Sequence, residues 1–241
     1  MNNWKKELWL ASFELKVTAE KRIVSQILFV LFTVFFLISM LDLYIETGLT
    51  GFDLIFLIVF AFAGSMTTPK SLQYQMINDN THVSPYFTLL HSLPINIKSV
   101  IRSRFIASFI QAIPVQITVL ILIYVLSPEM QSLMTILEYI FFSIFWLCIG
   151  LCLGALFPAS SVGHHISKAE YYIIIIALLL CLGAGILIFN SYLGGLVYAT
   201  INLVTSWPLY SVIGVIVITI ITLKLAIKYA ENKVERMDYF V

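Results

Sequence analysis

Of the 241 residues in this chain, 60% are hydrophobic and 11% are charged, and the mean hydropathy is +0.97. Soluble domains are about half apolar and about a quarter charged. This composition therefore excludes an ordinary soluble domain and predicts an all-α, polytopic membrane protein. The net charge of +1 gives no support to a nucleic-acid-binding protein.

The first predicted element is an interfacial helix over 4–22. At about 100° per residue its apolar side chains form two ridges, and Glu7 and Glu14 lie between the ridges on one side. The first ridge contains Trp4, Leu8, Ala11 and Leu15, and the second contains Trp9, Leu10, Phe13 and Val17. A helix that meets only lipid needs one apolar face. Two ridges predict contact with both the lipid boundary and a protein surface.

Six apolar runs follow, each close to the length of about 20 residues that crosses the hydrocarbon. The predicted spans are 23–45, 51–68, 105–126, 133–157, 171–189 and 209–227. If both termini lie on one side, every Lys and Arg falls on that side, and the opposite loops carry acids such as Glu46 and Glu129. Positive residues concentrate on the cytoplasmic side of membrane proteins. The pattern predicts one domain, 1–241, in a cell membrane with both termini cytoplasmic.

The segment 191–207 is uncharged and too apolar for an ordinary exposed loop, yet it is short and Gly-rich for a span. A seventh span here would move the C-terminal Lys and Arg residues outside. We expect one or two short re-entrant or interfacial helices on the outer face, before the sixth span.

The loop over 69–104, between the second and third spans, contains a candidate docking helix. On a helix, Tyr86, Leu89, Leu90 and Leu93 fall on one face, beside Phe87. Ser84 and Pro85 supply an N-terminal cap with Pro at the first helical position, and Pro94 ends the helix. A short capped helix with an apolar face indicates docking into another protein. The alternative is a loop helix that lies on its own bundle.

Few residues suggest chemistry. The chain has no phosphate-binding GxxxxGK[ST] loop, so it lacks that device for binding ATP. The histidines fall in predicted cytoplasmic loops and the cysteines inside spans, so no metal site or disulfide is expected. Asp42, Asp53 and Glu138 lie near the outer ends of spans, where they can reach headgroups or water.

Deeper polar groups occur in the third span, where Gln111 and Gln116 flank Pro114. A proline frees a backbone carbonyl, and amides beside it either bond a neighbouring helix or line a substrate path. Gly150 and Gly154 form a GxxxG motif in the fourth span, which indicates close helix packing.

The layout and one local motif resemble the type II ABC exporter permeases. Leu89-Leu90-His-Ser-Leu93-Pro94-Ile95, followed by Ile101-Arg102-Ser103-Arg104, is similar to that family's LLxxLPI…Ix[SG][KR] run. The resemblance implies a coupling helix between the second and third spans that docks into a separate ATPase. The Asn78–His82 stretch (NDNTH) departs from the acidic, Gly-Thr-containing segment that many members carry before the LL pair. The small size is similar to permeases of bacterial peptide and toxin exporters.

The resemblance implies a non-enzymatic permease subunit that forms half of a dimeric pathway and exports amphipathic peptides or toxins. ATP and Mg²⁺ would bind the partner ATPase, and the second permease would be a copy of this chain or a related one. Two alternatives stay open: a non-transporting sensor or immunity partner of a transporter, and an intramembrane enzyme. The enzyme is disfavoured because the inner halves of the predicted spans contain no acid or His.

Overall fold

The computed structural model describes residues 3–17, 19–48, 50–66, 75–78, 81–83, 96–160, 166–167 and 194–235, with isolated positions between 176 and 192. These residues form helices and three short strands. In chain order they are α1 (Asn3–Val17), α2 (Ala19–Thr47), α3 (Thr50–Met66), β1 (Gln75–Asn78), β2 (Thr81–Val83), α4 (Ile97–Leu126), α5 (Pro128–Leu133), α6 (Ile136–Gly154), α7 (Leu156–Ser160), β3 (Ile166–Ser167), α8 (Leu196–Ser206) and α9 (Pro208–Glu235).

Several of these helices have the length and composition of membrane spans. The four stretches are Arg22–Thr47, Ile97–Leu126, Ile136–Ala159 and Pro208–Lys233. They overlap the first, third, fourth and sixth predicted spans. The second predicted span corresponds to a shorter apolar helix, Gly51–Ala63, and the fifth lies almost entirely outside the described residues. A predominantly helical, membrane-embedded protein is confirmed, and the count of six spans stays a prediction.

Several helix boundaries differ from the predicted ones. The first helix ends at Val17, and residues 19–22 belong to α2 rather than to the interfacial helix. The third span begins early, at Ile97, because Asn96 caps it: the Asn96 side chain accepts a hydrogen bond from the Lys98 backbone N–H at 3.0 Å. Residues 97–104 therefore continue the membrane helix in the direction of the predicted coupling segment.

The predicted fourth span corresponds to α6 and the start of α7, and it shares only Leu133 with α5. Thr135 starts α6 with a capping box, in which its hydroxyl accepts from the Glu138 N–H while Glu138 accepts from the Thr135 N–H at 2.8 Å. This pairing satisfies N–H groups that the first helical turn leaves free. Glu138 is thus partly exposed near the end of a span, and its carboxylate is used by the helix itself.

A buried aromatic column holds α3 against α6. Phe52, Phe56 and Phe60 follow one another at four-residue spacing along α3 and are almost fully buried. Trp146 of α6 is completely buried, with its ring centroid 4.6 Å from that of Phe56 and 5.6 Å from that of Phe60. Large rings packed this closely bury much apolar area, so the column forms the centre of the core.

Three short strands form an antiparallel sheet in the order β1-β2-β3. In the pairing of β2 with β3, Thr81 lies opposite Ser167 and His82 opposite Ile166. The sheet joins the loop before α4 to the loop after α7, so these two loops meet at one end of the molecule. No strand was expected in either loop, because runs of two to four residues are too short to display alternation.

A short helix occupies most of the segment 191–207, as predicted. Gly194 and Gly195 precede α8 with φ values of +72° and +124°, which residues other than glycine rarely adopt. The helix ends before Trp207, and α9 begins at Pro208. Proline suits the first turn of a helix because it has no N–H to leave unpaired.

Candidate functional site: an ion-pair network at the start of α4

The residues predicted to contact an ATPase lie outside the described residues. They are Tyr86, Phe87, Leu89, Leu90, Leu93 and Pro94. The description resumes at Asn96, which caps α4. The candidate site is therefore the first part of α4, which follows the predicted coupling helix in the chain, together with the side chains around it.

Arg102 joins three elements at this end of the molecule. Its Nε lies 2.8 Å from Glu231 Oε1 near the end of α9, and its Nη1 lies 3.8 Å from Glu7 Oε1 in α1. Arg102 is about half exposed, whereas the two acids are largely covered. The start of α4 is thus bonded to both the N-terminal helix and the C-terminal helix.

A second, more deeply buried pair lies about two turns further along α1. Arg104 Nη1 is 3.8 Å from Glu14 Oε1, and their side chains are 7% and 5% exposed. Burial raises the pKa of the Glu14 carboxyl, because water is removed from the charged form, and the Arg104 guanidinium opposes this increase. Ala11 and Leu15 of α1 pack on Ala107 of α4 beside the pair.

Glu7 and Glu14 lie at the centre of the buried face of α1, flanked by buried apolar residues from both predicted ridges. The buried described side chains are Glu7, Leu10, Ala11, Glu14 and Leu15. Each predicted ridge contains both buried and exposed side chains. In the first ridge, Ala11 and Leu15 are buried while Trp4 is exposed. In the second, Leu10 is buried while Trp9 is exposed. The acids turn inward because Arg102 and Arg104 lie beneath them. The sequence signal that could have revealed this is the seven-residue spacing of Glu7 and Glu14, which places both acids on one face of the helix.

The glutamines of α4 are buried against other helices. Gln116 is 1% exposed, and its Nε2 donates to the Phe60 carbonyl in α3 at 2.7 Å. Gln111 is also buried, and its backbone carbonyl accepts from Gln26 Nε2 at 3.4 Å. Pro114 is exposed, about 160° around α4 from Gln116. The Gln116 contact gives its amide a packing partner, and a substrate-path role for these three residues stays a prediction.

The GxxxG motif of α6 packs within the chain. A Cβ at Gly150 would overlap the Gln116 amide, and one at Gly154 would lie 3.6 Å from the Ala61 carbonyl of α3. Gly150 therefore allows the close approach of α4 to α6, whereas a Cβ at Gly154 would make only an ordinary van der Waals contact with α3.

A buried carboxylate at the other end of the bundle was misread from the sequence. Asp53 is completely buried rather than open to headgroups or water. It accepts hydrogen bonds from the Tyr44 hydroxyl at 2.9 Å, from the Leu196 N–H at 2.9 Å and from the Val197 N–H at 2.8 Å. The first residue before α8, Gly195, offers no side-chain cap. Asp53 therefore caps α8 from a different helix.

Within the described residues, no three His, Cys, Asp or Glu side chains are placed to hold a metal ion. Comparison with protein families, with curated proteins and with solved structures found no match to this chain. The geometry around the start of α4 is thus the basis for a functional proposal. The charged side chains there form ion pairs that connect α4 with α1 and α9.

Proposed function

We propose that this chain is the membrane subunit of an ATP-driven exporter. One observation carries the proposal: the segment that resembles a coupling helix leads through the Asn96 cap into α4, and the first turns of α4 are paired with α1 and α9. A force applied to that segment by a partner ATPase would act directly on α4. The pairs at Arg102 and Arg104 would then pass the displacement to the first and last helices.

The same helix carries the displacement into the core. Because α4 is continuous over 30 residues, its start and its middle move together. Gln116 bonds the Phe60 carbonyl of α3, and the Tyr139 hydroxyl of α6 donates to the Leu120 carbonyl at 2.7 Å. Coupling between distant sites is carried by packed elements of this kind when they have two arrangements. In this proposal, movement of α4 opens and closes this chain's half of the translocation pathway.

The remaining parts are supplied by partners. A separate ATPase binds ATP and Mg²⁺, and a second permease, either a copy of this chain or a related one, completes the pathway. Amphipathic peptides or toxins are the proposed substrates, moved from the cytoplasm outward. The resemblance of the Leu89–Ile95 run to the exporter family supports this choice.

The test is co-expression of the chain with a candidate ATPase and measurement of co-purification and transport. We expect Phe87→Ala to weaken ATPase association, since aromatic anchors of an interface contribute about 2 kcal/mol or more. That energy corresponds to about thirtyfold in affinity. Leu90→Asp should be more severe, because it would bury an unpaired charge in the docking groove.

The matched control is Phe35→Ala, which truncates the same side chain at a position in α2 that is 74% exposed to the surroundings. It should leave association and transport intact. Normal association and transport in both Phe87→Ala and Leu90→Asp would show that the coupling role is wrong.

A further inference from the structure

The position of α1 places it at the edge of the membrane. The helix ends at Val17, α2 begins at Ala19, and the stretch of α2 that can span a membrane begins at Arg22. Few residues therefore separate α1 from the hydrocarbon. One face of α1 is occupied by α4, so the opposite face meets whatever lies at that boundary.

The exposed face of α1 is basic and aromatic. Apart from Trp4, which lies outside it, the exposed described side chains of α1 fall within an arc of about 120° at about 100° per residue. They are Lys5, Lys6, Trp9, Ser12, Phe13 and Lys16. Trp9 and Phe13 are 62% and 52% exposed, and their rings stack with centroids 5.9 Å apart. The arc thus combines three ammonium groups with a pair of large rings.

Among the described side chains of α1, no acid lies on the exposed face with these lysines. The acids of α1 are Glu7 and Glu14, and both lie on the opposite face, covered by α4. Each has an arginine of α4 within 4 Å: Glu7 Oε1 lies 3.8 Å from Arg102 Nη1, and Glu14 Oε1 lies 3.8 Å from Arg104 Nη1. The packing of α1 therefore separates its charges, with acids inward and lysines outward.

We propose that this face of α1 binds the headgroups of anionic phospholipids. Ammonium groups attract the negative surface of a leaflet that contains anionic lipid. Trp and Phe side chains bury their rings at the boundary between headgroups and acyl chains. The lysines supply selectivity for anionic over zwitterionic lipid, and the rings set the depth of the helix. This inference does not depend on the proposed transport function.

A lipid surface fits this face better than an acidic protein surface for a positional reason. The lysines and rings alternate around one arc of a helix that leads within a few residues into a membrane span. A protein partner at that place would have to displace lipid from both rings. If an acidic protein surface occupies this face instead, the lysines will be needed for that partner and not for the response to anionic lipid.

The test is hydrogen exchange of the full chain in nanodiscs of phosphatidylcholine, with or without added phosphatidylglycerol. Anionic lipid bound to α1 stabilises its docked state. We expect the α1 amides to exchange at least about fivefold more slowly with phosphatidylglycerol present. That factor corresponds to about 1 kcal/mol, the contribution of one lysine near an anionic surface. High salt should remove the difference by screening.

The variant Lys5→Gln/Lys6→Gln/Lys16→Gln should lose the effect and keep the same fold, since all three lysines are exposed. Its control is Lys98→Gln/Lys224→Gln/Lys228→Gln, which removes three exposed lysines from α4 and α9 and should retain the effect. The proposal is overturned if the first variant still responds to phosphatidylglycerol, or if the control loses the response equally. It is also overturned if the first variant loses a co-purified ATPase while its lipid response is unchanged.

Discussion

At the scale of single residues, Asp53 is the clearest case of a polar group whose role depends on a distant partner. A carboxylate buried in a membrane-embedded bundle is expensive unless its oxygens are bonded. Here the two oxygens accept from a hydroxyl and from two backbone N–H groups at the start of α8. Tyr44 also accepts from the Tyr198 N–H at 3.1 Å. The pair therefore satisfies three N–H groups that the first turn of a helix leaves free.

Gly195 belongs to the same arrangement. A Cβ at this position would overlap the Tyr44 hydroxyl and lie 2.9 Å from Asp53 Oδ2. Its φ of +124° is a second reason for glycine. The close approach of Tyr44 and Asp53 to the backbone of α8 thus requires a residue with no side chain.

We predict that Asp53→Asn destabilises the protein and loosens the start of α8. The amide keeps one acceptor oxygen but replaces the other with a donor, so at least one N–H group of α8 loses its partner. Losing a hydrogen bond to a charged group costs about 1.5–3 kcal/mol. The measurements are the melting temperature in detergent and the exchange of the Leu196–Tyr198 amides, both compared with the unmodified chain.

Asp42→Asn is the matched control, because Asp42 is an exposed acid of α2, two residues before Tyr44. It should leave both the melting temperature and the α8 amides unchanged. An Asp53→Asn variant with unchanged melting and exchange would contradict the capping role.

At the scale of elements, the packing of α1 on α4 depends on charge as much as on apolar area. The apolar contact is small, formed by Ala11, Leu15 and Ala107 with Ile106 beside them. Two acid–arginine pairs border it, and Arg102 also reaches Glu231 in α9. The interface thus selects one orientation of α1, because rotation would separate the acids from the arginines.

We predict that Arg102→Glu weakens the docking of α1 and the end of α9. The substitution places a third acid beside Glu7 and Glu231. Because Arg102 is about half exposed, each lost pair should cost about 1 kcal/mol or less. Faster hydrogen exchange in both α1 and the Lys228–Glu235 part of α9 is the expected result.

The exchange variant Arg102→Glu/Glu231→Arg should recover protection in α9, since it restores an opposite pair at the same place. Lys224→Glu is the control for charge reversal, because Lys224 is exposed on α9. If Lys224→Glu loosens α1 as much as Arg102→Glu does, the local pair is not the cause.

At the scale of the whole molecule, independent contacts bring several chain segments to one end. The Arg102 pairs bring together α1, the start of α4 and the end of α9. The sheet separately joins the loop before α4 to the loop after α7. These are segments that the distribution of Lys and Arg assigns to one side of the membrane.

We predict a topology in which that end is cytoplasmic. In a background whose native cysteines are replaced by alanine, Glu129→Cys should react with an impermeant thiol reagent added outside intact cells. His164→Cys should react only after the membrane is permeabilised. The reason is that Glu129 follows the opposite end of α4, whereas residue 164 lies two residues before β3. Labelling of both positions from outside would contradict the six-span arrangement.

The sequence by itself determined the class of protein and the position of most helices. Long apolar runs are local properties, and a run of about 20 such residues crosses a bilayer whatever its neighbours are. The short helix within 191–207 was also predictable, because its composition suits neither a loop nor a span. Cap residues such as Asn96 and Thr135 set the starts of α4 and α6, and apolar runs do not reveal these starts.

Only the tertiary structure decided which polar groups are buried and what they bind. Glu14 meets Arg104, Asp53 meets Leu196, and Gln116 meets Phe60, each across a long stretch of sequence. Helical periodicity gives the angle of a side chain on its own helix and does not identify the helix that packs against it. The pairing of β2 with β3 likewise joins segments that are far apart in the sequence. Because a buried polar group needs a partner, its position is set by packing rather than by the local pattern.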